Sequence, residues 1–298
     1  MISNTTGNSN CAFGNDALSA NTFGSGSVAV GHRALRSNTT GKYNVAMGAL
    51  ALFANTTGYN NIAIGYQALS TNTIGNSNSA FGYRALWSNI NGEKNTAIGY
   101  GTLQTNTTNN NTAVGYSALG SITTGTNNTA IGYTATGITT GANNTLIGAN
   151  SSPSSGTVSD EITLGNSSVA TLRCQVTTIT ALSDFRDKTD INDIQVGLSF
   201  VEKLRPVTFK WDRREWYNDG NKDGSKKDNT LQVGFIAQEL KALQEETGTE
   251  YLKLVYESNP DKLEATPGNL MSPLIKAVQE LSLKVKTLEA KVQALENK

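Results

Sequence analysis

Asn55-Thr56-Thr57-Gly58-Tyr59-Asn60-Asn61-Ile62-Ala63-Ile64-Gly65-Tyr66-Gln67-Ala68-Leu69 is one copy of a unit that recurs through the first half of the chain. Its central glycine returns at Gly14, Gly31, Gly48, Gly65, Gly82, Gly99, Gly115, Gly132 and Gly148, a spacing of 17 residues that shortens to 16 twice. Four positions beyond stand Leu18, Leu35, Leu52, Leu69, Leu86, Leu103 and Leu119. A fixed period of this length marks a repeat architecture, in which one copy cannot bury a core without its neighbours. The segment 61–66 is long enough for a strand and too short for a stable helix. The Asn-Thr-Thr-Gly that bounds it is turn chemistry, because glycine tolerates positive φ and asparagine bonds its own backbone. Stacked copies give a parallel β-solenoid paired from rung to rung, with equivalent Asn and Thr side chains forming hydrogen-bond ladders along the axis. The small residues Ala63, Gly65 and Ala68 point to a narrow interior, of the kind found where three chains approach one axis. A disordered linker of similar composition would not return Ala, Ile or Val, and Leu in register.

Charge divides the chain in two. Residues 1–182 hold six Lys/Arg and four Asp/Glu, which leaves 18 and 20 of the chain's 24 and 24 for the last 116 residues. Neither half has the basic surplus of a nucleic-acid binder. No apolar run approaches the ~20 residues of a membrane span, and no secretion signal opens the chain. Cys11, Cys174 and the single His32 have no metal-ligand spacing, so neither a metal nor a cofactor is expected.

The Ala-x-Gly-x-x-Ala-Leu pattern resembles the head repeats of trimeric autotransporter adhesins and of phage tail fibres. Over roughly residues 4–150, that resemblance implies a left-handed parallel β-roll. Residues 1–150 are therefore expected as the stalk, and the Ser/Pro-rich stretch at 151–156 as a linker. The runs 161–166 and 169–176 are expected as strands of a neck ending at 182.

From Ser183 the composition becomes that of an ordinary globular protein. Ser183-Asp184-Phe185-Arg186-Asp187-Lys188 precedes an amphipathic stretch at 194–204, then Leu204-Arg205-Pro206-Val207-Thr208-Phe209-Lys210-Trp211, which alternates like a strand. A polar loop covers about 217–230, and Gly234-Phe235-Ile236-Ala237-Gln238-Glu239 leads into a helix. These elements, in this order, resemble the peptidase S74 intramolecular chaperones found at the C-termini of phage tailspikes, endosialidases and fibres. The resemblance runs from about 178 to 298 and implies a serine–lysine dyad. Ser183 would be the nucleophile and Lys188 its general base, cutting the Leu182–Ser183 bond in cis, once. Such a lysine works only where burial or nearby positive charge favours its neutral form. Arg186 could supply that charge, and Asp184 and Asp187 would oppose it. Asp219-Gly220-Asn221-Lys222-Asp223-Gly224 matches the start of a calcium loop, but Thr230 stands where the bidentate glutamate belongs, so a solvated loop is expected.

The final helix is expected to start at Ser272-Pro273, an N-cap and first-turn pair. Leu274, Val278, Leu281, Val285, Leu288, Val292 and Leu295 then alternate by four and three, a coiled-coil seam. With Val at a and Leu at d, Lys284 and Lys291 fall at g and Glu289 and Glu296 at e, the spacing of interchain pairs in a parallel coil. Valine at a favours dimers in isolated peptides; the resemblance implies a trimer.

The expected molecule is thus a mainly β repeat stalk, a trimeric parallel solenoid, followed by a small α+β chaperone domain (183–270) and a parallel trimeric coiled coil (271–298). The expected role is a phage tail fibre or tailspike for host attachment, made in the host cytoplasm and carried in the virion. Its partners would be its own copies, a fibre, tail or baseplate protein at the N-terminus, and a host glycan or protein receptor, with no nucleic acid and no membrane insertion. The repeat phase starts at Asn4, so the expectation is either a distal fibre subunit joined to another protein or a chain whose upstream part is missing from this sequence. A cell-surface trimeric adhesin and a plain fibre spacer with an uncleaved chaperone domain are the alternatives.

Overall fold

The computed structural model describes residues 3–169, 171–173 and 183–297, in two compact units, Met1–Gln175 and Val176–Lys298. The first is one parallel sheet of ten three-residue strands, one per rung: β1 (Cys11–Phe13), β2 (Val28–Val30), β3 (Val45–Met47), β4 (Ile62–Ile64), β5 (Ser79–Phe81), β6 (Thr96–Ile98), β7 (Thr112–Val114), β8 (Thr129–Ile131), β9 (Thr145–Ile147) and β10 (Ile162–Leu164). Each strand pairs with the next in sequence order. The register holds equivalent residues opposite one another, so that Ala29, Ala46 and Ala63 stack.

The middle residue of a strand points inward and its two neighbours outward. The inward alanines join the Ala-Leu pair after the glycine in one buried stripe that runs along the unit. Ala63 and Ala68 are enclosed within their own chain, so the narrow interior is that of a single solenoid. What makes the interior narrow is the stacking of rungs about 4.8 Å apart. At Gly65, where φ is +132°, a Cβ would stand 2.5 Å from the Gly82 carbonyl oxygen. The leucine four places on takes a conformation most side chains avoid, with φ of 50° at Leu69. That costs roughly 1–2 kcal/mol. Full burial of the side chain returns about 1.5–3 kcal/mol, and the Leu69 N–H is caught by the Ala85 carbonyl of the next rung at 3.0 Å.

Two asparagine ladders brace the turns. In the first, Nδ2 of Asn21, Asn38, Asn55, Asn72 and Asn89 each donates to Oδ1 of the asparagine one rung earlier, at 2.8–2.9 Å. In the second, the backbone N–H of Asn61, Asn78, Asn95, Asn111, Asn128 and Asn144 donates to the side-chain oxygen of the preceding asparagine. The second ladder ends when Glu161 donates its N–H to Asn144 Oδ1 at 3.0 Å. The sheet continues to that point, with β10 paired on β9. Most of the expected neck, with Cys174 and Leu182, lies outside the described residues.

The first ladder stops earlier. The turn after Asn89 reads Asn-Ile-Asn-Gly-Glu-Lys-Asn; the next reads Asn-Thr-Thr-Asn-Asn-Asn and has lost its glycine. Asn106 therefore turns Nδ2 onto Thr108 O at 2.9 Å. Asn89 Oδ1, fully buried, is left with no partner. Ile122 and Ile138 occupy the equivalent buried places in the following rungs.

The second unit is smaller in its core. Past a one-turn 3₁₀ helix at Phe185–Asp187 come α1 (Leu198–Val201), β11 (Val207–Phe209), β12 (Gln232–Gly234), α2 (Ala237–Thr247), β13 (Val255–Tyr256), β14 (Glu264–Ala265) and α3 (Met271–Glu296). β11 pairs with β12 and β13 with β14, both antiparallel. Val196, Phe200, Leu240, Leu243, Leu252, Leu254 and Leu270 form the core. Gln244 is buried among them and earns its place by bonding: Nε2 donates to Thr249 O, and Oε1 accepts from the Leu254 N–H.

The amphipathic stretch 194–204 is helical only at Leu198–Val201, whose first N–H, that of Leu198, is accepted by Glu280 Oε2 of α3 at 2.8 Å, while its cap residue Gly197 offers no side-chain bond. Ser272 is not an N-cap either. A 3₁₀ turn at Pro267–Leu270 runs straight into α3, whose cap residue, Leu270, offers no side-chain bond. Pro273 is tolerated in the first helical turn because an N–H there has no helical acceptor to lose.

Candidate active site and assembly surfaces

Six residues build the candidate site. The Asp184 carboxylate accepts the Arg186 N–H at 2.9 Å and caps the 3₁₀ helix Phe185–Asp187. The Lys188 N–H closes the turn on Phe185 O at 3.2 Å. This single turn reverses the chain over five residues. It brings Lys188 Nζ to 2.5 Å from Ser183 Oγ. Both side chains are exposed, as is every residue of 183–193.

Arg186 does not face the lysine. Its Nη2 lies 2.6 Å from Asp184 Oδ2, and its Nε lies 3.1 and 3.2 Å from the two carboxylate oxygens. The guanidinium holds the Asp184 carboxyl below the usual carboxylate range, and the same contact raises Arg186. The positive charge expected to act on Lys188 is thus matched by its own neighbour. In this geometry the lysine donates to the serine. A general base must instead accept the serine proton as a neutral amine. The pair has the reach for catalysis, and the environment around it is still that of solvent.

The polar loop at 217–230 satisfies its own carboxylates. Asp219 and Asp228 are held below their ordinary range chiefly by the N–H groups of Asn221 and Thr230, and Asp223 by the Ser225 hydroxyl and then the Ser225 N–H. Before it, Trp211 stands edge-on to Phe209 at 5.0 Å with Arg213 over its face at 4.4 Å.

Two surfaces are apolar and open. On α3, Leu274, Val278, Leu281, Val285, Leu288, Val292 and Leu295 are all exposed, while Pro273 and Ala277 are its buried residues. On the solenoid, the third strand position exposes Met47, Ile98, Ile131, Ile147 and Leu164 in a column. Beside it runs a feature the repeat reading did not single out. Tyr66, Tyr83, Tyr100, Tyr116 and Tyr133 stack face to face, centroids 4.8–5.5 Å apart. The signal was present in the sequence, as tyrosine directly after the repeat glycine in five successive copies. Because each ring covers the next, the column offers solvent its edges and hydroxyls rather than its faces.

Residues 183–249 match the Peptidase S74 family model, described as the chaperone of endosialidase. The match begins at Ser183 and includes Lys188. No curated protein and no solved structure matches the chain.

Proposed function

We propose that the chain is a subunit of a phage tail fibre or tailspike, with the solenoid serving host attachment and residues 183–298 acting as an intramolecular chaperone. In this reading three chains meet through the C-terminal part, the solenoids then zip up in parallel, and each chain is cut once at Leu182–Ser183. Assembly takes place in the host cytoplasm and the product travels in the virion. The observation that carries the reading is that the S74 match starts on the serine that Lys188 reaches.

The mechanism follows from the chemistry of the exposed pair. Three solenoids side by side nucleate slowly, since segments of separate chains must meet in register before they can pack. A C-terminal module that associates first removes that delay. Association covers the turn 183–188, withdraws water from the ammonium and favours its neutral form. The neutral amine accepts the Ser183 proton, Oγ attacks the Leu182 carbonyl carbon, and the peptide bond to the Ser183 nitrogen breaks. Water then hydrolyses the ester so formed. Cleavage therefore waits for assembly, and the released stalk is stabilised kinetically by losing its nucleating end.

The exposed α3 seam and the apolar strand column supply surfaces for that association. Intact mass of the purified protein tests the reading directly. Two species summing to the chain plus one water, the smaller starting at Ser183, are expected. A single uncut mass in an assembled protein would favour the reading as a spacer or adhesin with a retained chaperone, which the exposure of Lys188 allows. Glycan-array binding by the stalk separates those two.

A further inference from the structure

Among the many asparagines of the stalk, one is placed to change its own chemistry. Asn91-Gly92 is the single Asn-Gly dipeptide in the sequence. It sits in the turn above the rung that has lost its glycine. In earlier rungs the three residues after the ladder asparagine are tied to the next rung: the N–H groups of Thr39, Thr40 and Gly41 all donate to Thr56 O at 2.9–3.3 Å. At Ile90, Asn91 and Gly92 the corresponding N–H groups have no acceptor among the described residues. The Asn91 side chain is exposed and makes no bond there either. Next to it, Asn89 Oδ1 is buried without a donor. The shortened turn at 106–111 withdraws both kinds of partner at once.

We propose that Asn91 is a site of spontaneous backbone modification through a cyclic imide. The Gly92 nitrogen, once it loses its proton to solvent base, attacks Asn91 Cγ. A C–N bond forms, the side-chain amide leaves as ammonia, and a five-membered succinimide results. Water opens either carbonyl, giving aspartate or isoaspartate at position 91. Three features of the turn favour this step. Glycine puts no Cβ in the way of ring closure, the attacking N–H has no hydrogen bond to lose, and the exposed Asn91 side chain has no bond that would hold it away from that nitrogen. The ladder asparagines from Asn21 to Asn144 are instead buried and hydrogen-bonded through their side chains. The product places a carboxylate next to Glu93, in a stalk half that carries four acidic residues over 182. In the isoaspartate form it also adds a methylene to the main chain where the ladder is already broken.

The test uses the full chain, incubated in mildly alkaline buffer and followed by peptide mapping with isoaspartate-specific methyl labelling. Label should accumulate at Asn91 several-fold faster than at the exposed turn residues Asn110 and Asn127. Asn91→Thr, which installs the residue carried by Thr40 and Thr57, should abolish it. A glycine inserted between Thr108 and Asn109 restores the turn length, so it should return acceptors to Ile90–Gly92 and slow the label at an unchanged Asn91. Gly92→Ala is unsuitable, because its Cβ would stand 2.2 Å from Asn89 Oδ1 and 2.4 Å from Thr108 O. Equal labelling of Asn91 and Asn110 would overturn the proposal. So would an inserted-glycine protein with an unchanged melting profile that modifies at the original rate.

Discussion

At the scale of single residues, the stalk and the site depend on opposite arrangements of the same polar groups. Asn72 is satisfied on every side: it donates to Asn55 Oδ1 and Gly75 O and accepts from Asn89 Nδ2. Truncating it orphans buried partners in two rungs, each worth about 1–3 kcal/mol. Asn72→Ala should therefore lower the denaturation midpoint clearly. Asn106→Ala should do less, since Asn106 makes no bond to Asn89. Denaturant melts of the two variants in an uncleavable background decide this. At Ser183 the arrangement is unfinished instead of complete. Ser183→Ala and Lys188→Ala each delete a reacting group while removing only exposed atoms. Both should persist as single full-length chains and still assemble, whereas the wild type should be cut. Cleavage of Ser183→Ala at the same bond would assign the cut to an outside protease.

At the scale of elements, α3 is a helix in search of a cover. Its seam residues from Leu274 to Leu295 are exposed, while only Pro273 and Ala277 of the helix are buried. Leu288→Glu, which sets a charge in the centre of the seam, should shift the sedimentation of the whole protein toward monomer and delay cleavage with it. The polar loop 217–230 makes a different prediction. Its three aspartates are lowered in the folded state, so their contribution is present above the unfolded carboxylate value near 4 and fades as pH falls through the lower folded values. Limited proteolysis within the loop should rise on acidification over that window while α2 stays protected. The same elements show what sequence can and cannot reveal. The solenoid was legible because its period repeats one local solution, and Leu69 or Asn55 has the same neighbours as its copies. The pairing of Ser183 with Lys188 was implied only by resemblance, since five residues of separation say nothing until a 3₁₀ turn closes them. The amphipathic pattern at 194–204 did not say how much of it is helix; only Leu198–Val201 is, with its Leu198 N–H taken by Glu280, 82 residues away.

At the scale of the whole molecule, removal of residues 183–298 should leave a stalk that aggregates or stays unfolded, while the intact chain sediments as a trimer. Soluble trimers of 1–182 in equal yield would remove the chaperone role. The reason such help is needed lies in the rungs themselves. Strands β2 to β8 carry the same inward alanine in the same register, so a chain displaced by one repeat would find nearly the same hydrogen bonds waiting for it. A perfectly periodic edge contains no address. The shortened turn at 106–111 and the exchange of asparagine for Ile122 and Ile138 break that translational symmetry. Like the one odd tooth on a timing wheel, in the proposed trimer they would let three chains tell a true alignment from one that has slipped a notch.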